Sequence, residues 1–363
     1  MGEPPSPREL FRAVKKLNLL QRFQDARDVR IAADPACAEF LRSYRNGAYA
    51  ALLLEKKSAA SGGVDTGHLI AVSTEDETRL KHELVDRFPH AAVAGFIGDA
   101  ALRAAAHADP LADDAGILTE PEPRNLYTVI CGPRTGSTWF VNLLRETGWL
   151  GRPTEHLRPL IVFMARHRNR LGVDLSRWLA LLIRQEQEDG VFGTKIIDDF
   201  AISLAPFVDS NERAMVERLA AKAHIIRLRR RDRVAQAVSE YIAEATTVWH
   251  VRKNEAMAAY SEAKETVAYD YERILASYER HRAAEAAIDN WLRATGRPAL
   301  DVFYEDVLAA PEERLAEIFS FLRGEPAPTL QVSSTRYQRL GDGVNEEMAR
   351  RFRAEFGLQT SSS

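Results

Sequence analysis

The chain has 363 residues, of which 45% are hydrophobic, and its formal net charge is −3 at pH 7. This length suggests two domains, and the weakly acidic balance excludes a globally basic nucleic-acid-binding surface, so any anion site must be built locally. The two cysteines, Cys37 and Cys131, are too few for a disulfide framework, and no cysteine–histidine cluster has zinc spacing.

The sequence carries no export or membrane signal. The N-terminal MGEPPSPREL lacks an apolar core, so no signal peptide is expected. No stretch approaches the roughly 18 consecutive apolar residues of a membrane span. Together with the few cysteines, these features predict a cytoplasmic protein, and the Ala- and Arg-rich helices favour a bacterial source.

The N-terminal third is predicted to be a small α/β unit. Residues 7–57 are predicted to be helical, followed by a buried strand at 68–73, a helix at 75–88 and a second strand at 91–96. This βαβ-like pattern contains no recognisable chemistry, and we interpret it as an accessory or substrate-gating domain.

A polar, proline-rich stretch at 108–125 predicts a linker. The expected domains are therefore 1–122, an accessory domain of unknown role, and 123–363, a catalytic domain.

The C-terminal part alternates strands with helices, which predicts a parallel sheet flanked by helices. Predicted helices follow the first strand, ending near Gly148, and cover 232–244 and 269–295. The predicted strands are 126–130, 191–197, 223–228 and 299–304.

A glycine-containing loop lies between the first of these strands and its helix, with the sequence Cys131-Gly-Pro-Arg-Thr-Gly-Ser-Thr138. Its glycines allow a tight turn, the helix N-terminus offers free N–H groups to an anion, and Arg134 adds a forked donor. It is not a Walker A loop, because Ser137 stands where that motif has lysine. The alternative is an ordinary capped strand-to-helix turn.

Five arginines fall within the seven residues Arg227–Arg233. Arg230 is the candidate phosphate ligand, and Ser239 on the next helix is a candidate hydroxyl donor. Most of the other arginines are expected to form surface or interdomain ion pairs, and a solvated charge run is the alternative.

A third segment, Gly151–His156, follows the first helix of the C-terminal part. Glu155 is a candidate general base for an acceptor hydroxyl. From the residues alone, an exposed loop glutamate without a catalytic role is the favoured interpretation, and His156 is the next candidate base.

Taken together, the motifs of residues 126–355 resemble those of the bacterial carbohydrate sulfotransferases whose type member sulfates trehalose. The resemblance rests on an ordered set of segments: Pro133–Thr138, Gly151-x-Pro-x-Glu155, Gly193-Thr-Lys195, Arg230-x-Asp232 with Gln236–Ser239, Val248-Trp249, Tyr304-Glu305 and Val344–Arg353.

The resemblance implies a P-loop-like α/β sulfotransferase fold, with the N-terminal α/β domain as an addition. It implies 3′-phosphoadenosine 5′-phosphosulfate (PAPS) as donor, no metal, Glu155 as general base, and Lys195 and Arg134 at the sulfuryl group and leaving group. Small-molecule or glycolipid acceptors and a homodimer are also expected. The implied donor ligands are Arg134, Thr135, Gly136, Ser137, Thr138, Arg230 and Ser239.

Three comparisons with related sulfotransferases bear on the base and on the acceptor. Ile197 occupies the place where many cytosolic sulfotransferases have a catalytic histidine, which favours a carboxylate base elsewhere. His156 and Arg158 replace aromatic residues of the type member, and about 120 N-terminal residues have no counterpart in it. Trehalose is therefore not assumed, and a sugar, lipid or natural-product hydroxyl remains open as the acceptor.

Two other functions compete with this interpretation. An ATP-dependent P-loop kinase could use Asp198 and Asp199 as a magnesium site, although the loop lacks the lysine. A catalytically inactive nucleotide-binding protein is the second. Ligand binding with and without magnesium distinguishes the kinase from a sulfotransferase. Turnover distinguishes the inactive nucleotide-binding protein from an enzyme.

Overall fold

The computed structural model describes residues 3–26, 28–54, 67–197, 204–249, 256–329 and 343–357. The chain forms two compact units. The first unit comprises Met1–Glu122, Leu157–Glu186 and Phe200–Arg218, and the second comprises Pro123–His156, Gln187–Asp199 and Leu219–Ser363. The boundary between domains at residues 122 and 123 stays a prediction.

The strands and helices are numbered in chain order. The strands are β1 Val29–Ala33, β2 His68–Val72, β3 Ala92–Gly95, β4 Asn125–Ile130, β5 Val191–Ile196, β6 His224–Arg229 and β7 Ala299–Phe303. The helices of the described residues are α1 Pro7–Ala13, α2 Leu19–Asp25, α3 Pro35–Ser43, α4 Glu77–Arg87, α5 Leu102–Ala105, α6 Asp114–Leu118, α7 Ser137–Glu146, α8 Pro159–Arg166, α9 Arg168–Leu171, α10 Leu175–Glu186, α11 Ser210–Lys222, α12 Arg233–Thr246, α13 Ala256–Glu265, α14 Tyr271–Thr295, α15 Tyr304–Ala309, α16 Pro311–Arg323 and α17 Gly343–Phe356. None of the helices in these described parts is long and apolar enough to cross a membrane.

The first unit contains a three-stranded parallel sheet in the order β1-β2-β3. The predicted βαβ pattern is confirmed as β2, α4 and β3. The prediction of helices throughout residues 7–57 is wrong at β1. Val29 and Ile31 are fully buried there, and pairing with β2 outweighs the helix propensity of the adjoining alanines.

A partly buried ion cluster ties α10 to the N-terminal part of the first unit. Arg177 donates from Nη1 to Asp99 at 2.7 Å and also pairs with Asp114. Asp114 accepts from Arg103 at 2.6 Å. Because buried carboxylates are costly without partners, these contacts explain why residues 157–186 group with the N-terminal part, although they lie far along the chain.

The second unit contains a four-stranded sheet in the order β5-β4-β6-β7, and all three strand pairs are parallel. The prediction of an α/β fold with parallel sheets flanked by helices is confirmed. Its core includes Val129, Phe140 and Ile226, all fully buried. The chain runs from β4 to β5 on one side and then crosses to β6 on the other. Parallel α/β sheets bind ligands at the carboxyl ends of the strands where the order reverses in this way.

Candidate active site

The loop after β4 makes a sharp turn at the start of α7. Arg134 and Gly136 both have positive φ angles, 58° and 82°. A Cβ atom on Gly136 would lie 2.4 Å from the Tyr304 ring, so only glycine fits there. The side chain of Thr135 donates to the carbonyl of Gly132 at 3.0 Å and closes the turn.

The next two carbonyls of the loop are held by side chains from α12 and from the end of β6. Gln236 Nε2 donates to the Pro133 carbonyl at 2.7 Å, and Arg230 Nη1 donates to the Arg134 carbonyl at 3.1 Å. In a planar trans peptide the N–H points opposite to the carbonyl. The N–H groups of Arg134 and Thr135 therefore point away from Gln236 and Arg230, as an anion cradle requires.

The N-terminus of α7 continues this cradle. Gly136 is the N-cap and has no side chain to accept bonds from the first-turn N–H groups, so these groups remain available to an anion. Ser137 and Thr138 begin the helix, and Ser137 is buried beside Cys131. Burial raises the pKa of the Cys131 thiol, which therefore stays neutral behind the loop.

Arg134 links the loop to α12. Its Nε donates to Ser239 Oγ at 3.0 Å, and its Nη1 donates to the Trp249 carbonyl at 2.6 Å. Burial lowers the pKa of Arg134, and the positive charge of Arg230 lowers it further, as expected where two guanidinium groups lie near each other. The structure thus brings together three of the sequence-predicted donor ligands, Arg134, Ser239 and Arg230.

The arginine run separates into two groups. Arg230 contacts the loop and lies over the Tyr304 ring, with its guanidinium carbon 5.5 Å from the ring centre. The other four form ion pairs: Arg227 with Asp289 and Asp301, Arg229 with Glu285 and Asp301, Arg231 with Asp306, and Arg233 with Glu285. Most of the run forms ion pairs, as expected, but the partners all lie within the second unit and Arg227 is buried rather than at the surface.

Lys195, on the neighbouring strand β5, forms an ion pair with Glu155. The Lys195 side chain is buried, and its Nζ lies 3.0 Å from Oε2 of Glu155, whose side chain is 24% exposed. The backbone N–H of Lys195 donates to the Thr154 carbonyl at 2.9 Å, so the Glu155 segment is held against β5. Lys195 is in register with Val129 on β4, two residues before the anion loop. The carboxylate is therefore partnered rather than a free loop glutamate.

His156, the next candidate base, is buried. Its Nδ1 lies 2.9 Å from Thr194 Oγ1, and its ring stacks on Phe192 at 5.7 Å. Its candidacy as a base stays a prediction. Asp198 and Asp199, the pair on which the kinase alternative relied, lie outside the described residues.

Gln236, His281 and Glu240 form a buried polar group behind the loop. Sequence reasoning gave no role to His281 or Glu240 and named Gln236 only as part of the Gln236–Ser239 segment. The spacing of residues along α14 could have identified His281 as a buried polar residue. Ile274, His281 and Ile288 recur every seven residues along α14, so they share one helix face, and all three are buried. A histidine on a buried apolar helix face needs a polar partner, but the sequence does not show which residue that partner is, because this depends on the fold.

The region that matches known proteins includes all of the site residues described above but takes in parts of both units. A family model described as Stf0 sulphotransferase matches residues 126–355, more than half of the chain. A search of curated proteins found no significant match.

Proposed function

This chain belongs to the Stf0 sulphotransferase family, and we propose on that premise that it transfers a sulfuryl group from PAPS to a hydroxyl of a carbohydrate, lipid or natural-product acceptor. The observation that carries the proposal is the meeting of the anion loop, Arg230 and the Lys195–Glu155 pair at the carboxyl ends of β4, β6 and β5.

The donor set fits a ligand with two separate anionic ends. The loop amides, Arg134 and the N-terminus of α7 suit the 5′-phosphosulfate, since they combine N–H donors with a positive helix end. Arg230 and Ser239 suit the 3′-phosphate, because Arg230 adds a second guanidinium beside the loop and Ser239 adds a hydroxyl in contact with Arg134. Thr135, Ser137 and Thr138 line the same loop.

Activation of the acceptor is assigned to Glu155. Its carboxylate would take the proton of the attacking hydroxyl, and its ion pair with Lys195 fixes its position. PAPS supplies the activated sulfuryl group, with the 5′-phosphate as leaving group. Lys195 places a buried positive charge beside the base, where it can stabilise developing negative charge on the sulfuryl oxygens.

The remaining proposals concern the cellular location, the N-terminal residues and the oligomeric state. Both cysteines are free and buried, which supports a reducing cytoplasmic location. Residues 1–122 are proposed as an accessory domain, and a homodimer remains a proposal based on the family.

The test is ligand-dependent thermal stability without magnesium. We expect PAP, the desulfated donor, to raise the melting temperature more than ATP does, because the chain offers two phosphate sites. At 100 times its Kd, PAP should stabilise the fold by about 2.7 kcal/mol. Adenosine 5′-monophosphate, which lacks the 3′-phosphate, is the matched control and should stabilise less. Equal or greater stabilisation by Mg-ATP would favour a kinase instead.

A further inference from the structure

A chain of three buried side chains lies behind the anion loop. Gln236 and Glu240 are on α12, and His281 is on α14; their exposed fractions are 4%, 6% and 3%. His281 Nε2 lies 3.0 Å from Glu240 Oε2, and His281 Nδ1 lies 3.3 Å from Gln236 Nε2. Gln236 Nε2 in turn lies 2.7 Å from the Pro133 carbonyl.

The contacts fix the direction of each hydrogen bond. The Gln236 group at 2.7 Å from a carbonyl oxygen must be the NH2 group, since two acceptor oxygens would repel each other there. The same NH2 faces His281 Nδ1, which must therefore accept. The ring proton then belongs on Nε2, which lies 3.0 Å from Glu240 Oε2.

Glu240 is well suited to hold that tautomer. Besides His281, it accepts from Ser277, and Arg280 Nη2 lies 3.3 Å from its Oε2. Burial alone would raise the Glu240 pKa, but the contacts with His281 and Ser277 and the positive charge of Arg280 lower it. The series of side chains from Gln236 through His281 therefore ends at Glu240, whose carboxylate is ionised and held in place by its neighbours.

Resting on the function proposed above, we propose that Glu240, His281 and Gln236 are positioning residues that orient the Pro133–Arg134 peptide toward the donor's anionic groups. Proline fixes φ at Pro133 but leaves the following peptide free to rotate. Without the bond from Gln236, this peptide can turn its carbonyl oxygen toward the anion and its N–H away. Donor binding then loses one N–H contact and gains a repulsive oxygen.

Two substitutions of His281 separate positioning from packing. In His281→Asn, the side-chain oxygen takes the place of Nδ1 and can still accept from Gln236. In His281→Gln, the longer amide reaches the place of Nε2 and can donate to Glu240, but no acceptor remains at Nδ1. Because one such hydrogen bond is worth about 1.4 kcal/mol, we expect PAP to bind about tenfold more weakly to His281→Gln than to His281→Asn.

The measurement is titration calorimetry of the full chain with PAP, with thermal unfolding of each variant alongside. Gln236→Met keeps the side-chain length without hydrogen bonds and provides a second test, with the same loss of about tenfold expected. Equal PAP affinity in the two His281 variants, or wild-type affinity in Gln236→Met, would overturn the inference. Failure of the wild-type chain to bind PAP would instead reject the proposed function.

Discussion

Glu155→Gln is expected to lower kcat by about 10²–10⁴ while leaving the affinity for PAP nearly unchanged. The substitution keeps the shape of the side chain and its ability to hydrogen-bond to Lys195, which lies 3.0 Å from the carboxylate, but removes its capacity to accept a proton. PAP affinity should survive, because the loop and Arg230 hold the nucleotide in our account. Steady-state kinetics and PAP titration measure the two effects separately.

A matched control is Glu188→Gln. Glu188 also pairs weakly with an arginine in the second unit, Arg152 at 3.8 Å, and has no assigned part in the chemistry. Its kcat should stay near that of the wild type. A rise in KM alone in Glu155→Gln would mean that Glu155 only binds the acceptor. Wild-type kcat in a folded Glu155→Gln variant would remove Glu155 as the base and leave His156 as the next candidate.

Arg230→Ala should weaken PAP binding by about 10- to 150-fold, because hydrogen bonds to charged groups are worth about 1.5–3 kcal/mol. Arg229→Ala is the matched neighbour and should change PAP binding little. Arg229 lies 3.5 Å from Glu285 and 3.8 Å from Asp301, so its loss should lower thermal stability instead. Calorimetric titration of both variants with PAP measures the difference.

Similar losses of PAP affinity in both arginine variants would contradict the assignment. The run would then act as a diffuse positive surface rather than through one placed guanidinium. Arg230 also holds the Arg134 carbonyl, so part of its effect is expected to pass through the loop.

The sequence was most informative where chemistry depends on neighbouring residues. The spacing of Gly132 and Gly136 after a strand predicted the loop, and the structure requires a glycine at Gly136 because of its φ angle and the Tyr304 ring. This inference needed only local geometry.

Contacts between distant residues could not be predicted in the same way. The carboxylates that pair with the arginine run include Glu285 and Asp301, which are more than 50 residues away in the sequence. The pairing of Gln236 with His281 joins two helices. Strand β1 was missed because its short sequence resembles its helical neighbours, and only pairing with β2 explains it.

The division of the chain into two units also depends on contacts between residues that are distant in the sequence. A proline-rich stretch near residues 108–125 indicated one crossing between units, but residues 157–186 and 200–218 return to the first unit. The ion cluster around Arg177 supplies the physical reason for the first return, and it joins residues that are 63 to 78 positions apart. Composition does not reveal such pairings.

The most direct test of the account is turnover with PAPS, without magnesium, across a panel of sugar, glycolipid and natural-product hydroxyl acceptors, followed by mass spectrometry. We expect an acceptor to gain the mass of one sulfuryl group, one PAP to form for each product molecule, and both signals to fall sharply in Glu155→Gln. No sulfated product from PAPS, together with a phosphorylated product of the same panel from Mg-ATP, would contradict it.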